Sequence, residues 1–487
     1  MKKSIFGLLL VAEGLVMLVA TLVALYYHYT HGEEDWKALA IGTALTLGCG
    51  LTAWRCFHGK HRNRRMLSRG DSFIIVALAW VIFSFFGMVP YLLYNVEGLS
   101  VTDAYFETMS GFTTFGGSML SRPEDLPHGL LLWRALTQGL GGLGIIVISM
   151  AIIPAGEMKN TNIFMAEASV VSMDRLRPKI GATARRLLAV YLLFVITCFA
   201  LFWAGPMGCF DAICYAMATV STGGFGMHAA GLGYFQSAYL EWVAIIFMLC
   251  SSINFATFYY LSARNYHHVF KNEELVTFIL TYVGFAALFC LMFALGANNV
   301  EISADHVGGQ PVRASLFHVA SILSTCSHTG QFHNYAAWGS SFWLATIAMK
   351  FIGGCTYSTS GGLKIARVIV FARMLINQFI QHLHPRAVLD IRFNGHVLSR
   401  NVVRAAVTFL FLHLGLIVLG IFLFSLMNIS LTDSIDLTVS SLSDVGPNIN
   451  FKALPLLAKW ITIFYMLAGR LEFFTLLFLF MPRAWKQ

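Results

Sequence analysis

The sequence predicts an all-α integral membrane protein in which four short helices dip into the bilayer from one face and end in loops around a common axis. Three observations predict it. Of 487 residues, 57% are hydrophobic and only 12% are charged, with a mean hydropathy of +0.69, far from the balance of a soluble domain. Apolar runs of about 20 residues, the length that crosses a bilayer core, recur along the chain. Short strings rich in Thr, Ser and Gly return between those runs at a nearly constant spacing.

In chain order, the apolar runs are Ile5 to Tyr27, Ala38 to Phe57, Phe73 to Tyr94, Leu130 to Pro154 and Leu187 to Trp203, then Trp242 to Leu261, Leu275 to Leu295, Val407 to Met427 and Leu456 to Phe480. Each reads as one crossing. Phe342 to Phe379 is too long for one span and is broken in its middle by Gly and Ser, which makes ten. Lys2 and Lys3 precede the first run, but it is longer than a signal-peptide h-region and no persuasive cleavage site follows, so it reads as a retained helix. Lys and Arg set the orientation: with the N-terminus inside, inner segments hold 25 of the 33 and outer segments six, placing both termini in the cytoplasm. The formal charge of +9 is then a basic inner face suited to anionic membrane lipid, and no nucleic-acid partner is implied. Nine Cys without a C-x-x-C pair imply neither a disulfide framework nor a zinc site.

The recurring strings are "TTFG" (Thr113, Thr114, Phe115, Gly116), "STGG" (Ser221, Thr222, Gly223, Gly224), "SHTG" (Ser327, His328, Thr329, Gly330) and "SDVG" (Ser443, Asp444, Val445, Gly446). Their last glycines lie 108, 106 and 116 residues apart, an internal repeat. At the same offset upstream stand Asp103, Asp211 and Asp433, with Phe317 in the third. Each Asp is placed to cap the start of a helix of about two to three turns, too short to cross. The chain must then return as extended backbone, which is tolerated at membrane depth only where it is buried or lines water. Two crossings separate successive strings, so all four loops enter from the outer face, unlike an inverted-repeat carrier. The short helices aim their negative C-terminal ends at the axis, which favours a cation. Backbone carbonyls can replace an ion's hydration shell, offsetting a Born cost of order 20 kcal/mol. One such string is an ordinary loop; four in register read as quarters of an ion filter.

"SGFTTFGG", "WRALTQGLGGLGIIVISMAIIP", "STGGF", "MKFIGGCTYSTSGGLKIAR", "HPRAV" and "GRLEFFTLL" together resemble the Trk/Ktr/HKT superfamily of potassium transporters. The likeness covers nearly the whole chain from Phe73 on and is strongest to the Trk-type bacterial membrane subunit, which has two extra N-terminal transmembrane helices. The resemblance implies four pseudo-repeats of helix, pore helix, filter loop and helix around a central pore. It divides the chain into the N-terminal pair (1–70) and pore repeats at 71–160, 161–263, 264–385 and 386–487. It further implies gated uptake of K⁺ across the cytoplasmic (inner) membrane, with K⁺ as the transported ion, no cofactor and no enzymatic activity. A homodimer and a cytosolic nucleotide-binding, TrkA-like regulatory subunit of the RCK/KTN kind are the implied partners. One filter glycine per repeat is expected at Gly116, Gly224, Gly330 and Gly446. The chain departs from the family pattern at Phe115, where Thr is frequent, at His328, and at Asp444, where Asn is more usual.

"GGCTYSTSGG" (Gly353, Gly354, Cys355, Thr356, Tyr357, Ser358, Thr359, Ser360, Gly361, Gly362) interrupts the span after the third string. Lys364 follows it, yet the phosphate-loop pattern is not satisfied and no strand precedes. Taken alone it is a helix kink; the resemblance implies an intramembrane gating loop that blocks the pore under the filter. "GLGGLG" from Gly139 lies mid-span, where small residues let helices approach. Lys350 and Arg470 fall in apolar stretches, at about 2.5 to 3.5 kcal/mol each on insertion scales. Arg470 either pairs structurally with Glu472 or nearby carbonyls or, as the family's Arg in "GRLE" implies, stands below the filter as an electrostatic barrier. Lys350 is expected to support the loop from behind.

Glu107 reads as a hydrogen-bond acceptor behind the filter, and His267, His268, His382 and His384 as solvated groups holding no metal. The inner loops "DRLRPKIGATARR" and "HPRAVLDIRFNGH" suit either the regulatory subunit or lipid headgroups. The competing function is a Na⁺- or H⁺-coupled secondary transporter of another solute, which would need acidic residues at mid-membrane and inverted halves. An intramembrane enzyme would need a constellation such as H-E-x-x-H, which the sequence lacks.

Overall fold

The computed structural model describes residues 2–58, 69–151, 180–262, 266–295, 311–330, 338–387, 389–447, 449–471, 473 and 476. Helix α1 (Lys2–His31) and helix α2 (Trp36–His58) form an antiparallel hairpin. Glycines let the two backbones touch: a methyl group on Gly7 would stand 2.5 Å from the Trp54 amide nitrogen. Then come α3 (Arg69–Gly87), α4 (Val89–Tyr94), α5 (Val101–Thr113), α6 (His128–Ala151), α7 (Ile180–Trp203), α8 (Cys209–Val220), α9 (Ala238–Ser252), α10 (Phe255–Ser262) and α11 (Tyr266–Phe270). The chain continues through α12 (Glu273–Ala294), α13 (Pro311–Leu323), α14 (Ser340–Phe351), α15 (Ile365–Leu383), a hairpin of β1 (Arg392–Phe393) and β2 (His396–Val397), α16 (Arg400–Ser425), α17 (Leu431–Ser443) and α18 (Leu456–Arg470).

Five helical stretches among the described residues are long and apolar enough to cross a membrane by length and composition. Two expected spans are helical but interrupted, the first of them being among those five. Phe73 to Tyr94 divides into α3 and α4 just ahead of Pro90, whose missing N–H suits it to the start of a helix. Trp242 to Leu261 divides into α9 and α10 at Asn254, whose Oδ1 accepts from the Ala256 amide at 2.9 Å. The runs expected to reach Pro154 and Phe480 end outside the described residues.

Helices α5, α8, α13 and α17 have 13, 12, 13 and 13 residues, about 20 Å at 1.5 Å per residue against a core of about 30 Å. The predicted caps need one correction. Ser100 and Ser430 are the N-caps, their hydroxyls accepting from the amides of Asp103 and Asp433, and Gly208 precedes α8. Asp103 completes a capping box from the third helical position, and Asp211 and Asp433 stand in the first turn. The smaller Ser reaches the amide directly, while the carboxylate complements the positive helix end.

Packing closes on itself. Helix α5 lies against α3, α6 and α18; α8 against α6, α7 and α9; α13 against α9, α12 and α14; α17 against α14, α16 and α18. The last long helix therefore rests on the first short one. Each seam carries a cation and a carboxylate. Arg134 Nε meets Glu107 at 2.8 Å and reaches the Gly226 carbonyl with Nη1; Arg313 meets Glu241 at 2.8 Å. Lys350 meets Asp436 at 2.6 Å, and Lys459 meets Asp103 at 2.7 Å. Removing one partner of a buried pair costs about 3 to 5 kcal/mol, because the other charge is stranded.

Candidate functional site

The chain leaves each short helix by the same turn. Thr114, Thr222, Thr325 and Asp444 all take left-handed backbone angles, with φ of 56°, 56°, 60° and 54°. The next amide in each case, from Phe115, Gly223, Cys326 or Val445, donates back into its helix, to Ser110, Ala218, Ser321 or Ser440. This is the way a helix end satisfies its last carbonyls. Two residues past the left-handed position come Gly116, Gly224, Ser327 and Gly446.

The third segment is therefore Ser324, Thr325, Cys326 and Ser327, three residues ahead of the predicted "SHTG". Ser327 holds a φ of 61° where Gly116 and Gly224 have 83° and 72°. The residues expected there lie further on. His328 directs Nε2 to the Thr219 hydroxyl at 2.8 Å, and its carbonyl accepts from Ser321. The Thr329 carbonyl accepts from the Leu232 amide, and Gly330 packs against Phe317. The counterpart of Asp103 is correspondingly Ala314, not Phe317. The prediction followed glycine, and the third turn has a serine instead.

The four turns meet. A methyl group on Gly116 would stand 2.6 Å from the Gly223 carbonyl oxygen, one on Gly224 1.7 Å from that of Cys326, and one on Gly446 3.2 Å from the carbonyl carbon of Gly116. The Gly446 amide donates to Ser327 Oγ at 2.6 Å. Gly116, Gly224, Ser327 and Gly446 consequently line one cavity, together with Arg134, His228 and, from the expected third string, His328 and Thr329. Side chains largely face away from it. Phe115 packs against Phe106 and Phe451, which leaves only its backbone available. Thr113 Oγ1 donates to the Met109 carbonyl, Ser221 Oγ to that of Ala218, and Thr222 Oγ1 to that of Ser221. Val445 is buried. Gln138 braces the second turn, donating to the Gly223 carbonyl at 2.7 Å and accepting from the Phe225 amide at 3.1 Å. Glu107 accepts from Ser118, the Met119 amide and Arg134, the acceptor role expected of it.

On the side of the turns away from that cavity lies the segment from Gly353 to Gly362, joining α14 to α15. Glu274 at the start of α12 accepts from the Thr356 amide at 2.6 Å and from its hydroxyl at 2.9 Å. Cys355 N donates to the Ser252 carbonyl, Gly353 N to that of Leu363, and Gly354 accepts from Ile365. Ser358 and Ser360 share a hydrogen bond, and the Tyr357 carbonyl accepts from the Phe255 amide. Gly362 takes a φ of 70° against Gly353. Thr359 Oγ1 donates to the Val220 carbonyl at 3.1 Å, at the second turn. The Gly361 amide donates to Thr325 Oγ1 at 2.8 Å, at the third turn, and a methyl group there would meet the Ser443 carbonyl oxygen of the fourth at 2.4 Å. Arg470 Nη1 donates to the Thr359 carbonyl at 2.7 Å and Nη2 to that of Gly141 at 2.9 Å. Gly141 itself abuts the Phe112 carbonyl and Thr114.

The segment thus contacts three of the four turns directly and the first through Arg470 and α6. The carbonyls named as one option for Arg470 are its partners; Glu472 lies outside the described residues. Lys350 donates to Asp436 and Ser440, which ties it to α17. Arg134, Gln138 and Glu274 were missed as site residues. Nothing local marks Gln138 in "RALTQG", and Glu274 in "KNEEL" reads as a helix-start charge.

Of the two candidate docking loops, residues 174–179 lie outside the described residues, as do the side chains of His267 and His268. The loop bearing His384 runs into the β-hairpin, which is tied to α12 where the Asn394 amide donates to Glu273, a carboxylate that Arg373 of α15 also meets at 3.0 Å. Among the described residues no group of three or more His, Cys, Asp or Glu could hold a metal ion.

Residues 44–486 match the TrkH family, described as "Cation transport protein". The Trk system potassium uptake protein TrkH of Escherichia coli K12 is 32% identical over 502 residues, covering 99% of this chain and 98% of that one. The Trk system potassium uptake protein TrkI of Halomonas elongata is 32% identical over 489 residues, covering 97% and 95%. The crystal structure of the potassium transporter TrkH from Vibrio parahaemolyticus superposes with a TM-score of 0.86 at 29% identity, covering 99% of each chain.

Proposed function

This chain belongs to the TrkH family of cation transport proteins, and we propose from that premise that it conducts K⁺ into the cell through a gated pore between its four turns. The observation that carries the proposal is the meeting of Gly116, Gly224, Ser327 and Gly446 at one cavity, each at the end of a short helix whose negative end faces it. Carbonyls there would replace the water an ion sheds. In this reading the four units from residue 71 on are pseudo-repeats around the pore, preceded by the N-terminal hairpin. The segment from Gly353 to Gly362 is the closed gate, with Arg470 as its electrostatic part. The buried acids Glu107, Glu241 and Asp436 each face an Arg or Lys.

The family likeness also supports residence in the bacterial inner membrane with both termini cytoplasmic, a homodimer, and control by a TrkA-like nucleotide-binding subunit at the basic inner loops. Uptake of ⁸⁶Rb⁺ and ²²Na⁺ into proteoliposomes tests the core of the proposal. Passive, saturable Rb⁺ flux is expected, rising in Arg470→Ala and in a chain shortened between Gly353 and Gly362. Flux that requires a co-transported solute would remove the pore, and unchanged flux in both variants would remove the gate.

A further inference from the structure

Helix α6 carries Arg134, Gln138 and Gly141, which bond the Gly226 carbonyl, the second turn and Arg470 in that order. Its own sequence gives its start no cap. Pro127 precedes it without an N–H, no Ser, Thr, Asp or Asn stands at 126 or 127, and Leu131 is the residue whose amide returns to the Pro127 carbonyl, so the amides ahead of it need outside acceptors. The N-terminal hairpin supplies them from 95 residues back in the chain. Glu33 accepts from the His128 amide at 2.9 Å with Oε2 and meets the His128 ring at 2.6 Å with Oε1. Asp35 is fully buried and accepts from the Leu130 amide at 3.0 Å, although it stands just ahead of α2, where an Asp ordinarily caps its own helix. Gly129, between those two amides, leaves room for the carboxylate: a methyl group there would stand 2.4 Å from Asp35 Oδ2. The Tyr27 ring lies flat on His128 with centroids 3.8 Å apart, and Phe210, at the start of α8, meets His128 edge to face at 4.7 Å. The hairpin thus grips the starts of α6 and α8, and the turn at the far end of α8 is the one that Gln138 braces.

We propose that Glu33 and Asp35 are positioning residues for ion selectivity: the N-terminal hairpin caps α6 from outside and thereby fixes the axial position at which Gln138, ten residues past His128, holds the second turn. A rigid helix passes a displacement of its capped end along to Gln138, and the Gly223 carbonyl that Gln138 holds would shift against Gly116, which it closely approaches. A ring of carbonyls discriminates between ions by the number and placing of its oxygens. The inference rests on the pore reading and gives a task to the hairpin, which lies outside the four units.

The test uses the full-length protein in proteoliposomes. The ratio of ⁸⁶Rb⁺ to ²²Na⁺ uptake is compared among wild type, the double variant Glu33→Ala with Asp35→Ala, which removes both acceptors, and Glu33→Gln with Asp35→Asn, which keeps an acceptor oxygen at each amide. The alanine pair should lower the ratio about fivefold, the scale of one lost cap, and the amide pair should stay near wild type. In a Gln138→Leu background the two alanines should change the ratio little further, because the brace they position is gone. A ratio unmoved by the alanine pair overturns the inference, as does an equal loss with and without Gln138, or a wild type with no preference for Rb⁺. Should the alanine pair fail to fold, Glu33→Ala alone, at the partly exposed acceptor, decides: a lowered ratio supports the inference and an unchanged one overturns it. Rb⁺ flux in wild type with an unmoved ratio in the variants defeats this inference alone, whereas no Rb⁺ flux in wild type defeats the pore and the inference with it.

Discussion

The second and third turns have the same backbone and are held by different means. In the second, Gly224 lies so close to the Cys326 carbonyl that no side chain fits, and Gln138 fixes the strand from outside by bonding Gly223 and Phe225. In the third, Ser327 accepts the left-handed angle and turns its hydroxyl into a clamp on the Gly446 amide. The turn is thus set by the helix it terminates and the amide returning into that helix. Glycine is demanded only where a neighbouring backbone occupies the space of a side chain.

The largest effect is expected of Gly224→Ala. Its methyl group would overlap the Cys326 carbonyl oxygen at a left-handed angle, so the loss should exceed the roughly 1 to 3 kcal/mol of an isolated strained residue. Thermal unfolding in detergent and Rb⁺ flux should both collapse, and near-wild-type behaviour would refute the close contact of the two turns. Gln138→Leu should come next, leaving a buried carbonyl and amide unsatisfied at about 1 to 3 kcal/mol each. It should depress the unfolding temperature while the third turn, which has its own clamp, keeps its protection in amide exchange.

Ser327→Gly probes the third turn with a smaller expected effect. It relieves a side chain at positive φ but loses the bond to Gly446, so the two should nearly cancel, within about 1 kcal/mol. Ser327→Ala keeps the strain and loses the bond, and should be the less stable of the pair by unfolding temperature. Equal stability of the two would show that the left-handed angle costs alanine nothing there, and a Ser327→Ala variant as stable as wild type would show that the clamp contributes nothing.

The smallest effect is expected far from the turns, at Glu97. Burial pushes this carboxyl up, but the Lys452 ammonium and the amides of Arg122 and Ser121 draw it below its ordinary value. A lowered native pKa adds stability that is present above the unfolded value, near 4.3, and fades as pH falls through the native one. The pair is partly exposed, so under about 1 kcal/mol is at stake. Unfolding temperature should drop slightly more below pH 4 for wild type than for Glu97→Gln, and identical profiles would dismiss the pair.

Much of this architecture is legible in the sequence because it follows from lengths: an apolar run of 20 residues and one of 13 have different fates in a bilayer. The recurrence of Thr, Ser and Gly strings located three of the four turns, and the break from Gly353 to Gly362 announced itself by composition. The third turn escaped because a serine can adopt a backbone that pattern reading reserves for glycine, while "SHTG", three residues on, has the expected look. Gln138, Glu274 and the seam pairs escaped for another reason. Their partners lie between 27 and 356 residues away in the chain, and nothing in a local window distinguishes a buried arginine that meets a distant glutamate from one that faces water.

Because α18 rests on α5, the four turns that meet at the cavity all come from one chain, and no two of them have the same sequence. In an assembly of four identical subunits any substitution at the aperture would appear fourfold, and a change tolerable once could be ruinous in quadruplicate. Here a serine occurs in one quarter and an aspartate in another. Four turns on a single chain can therefore be altered one at a time, which gives natural variation a finer dial than symmetry allows.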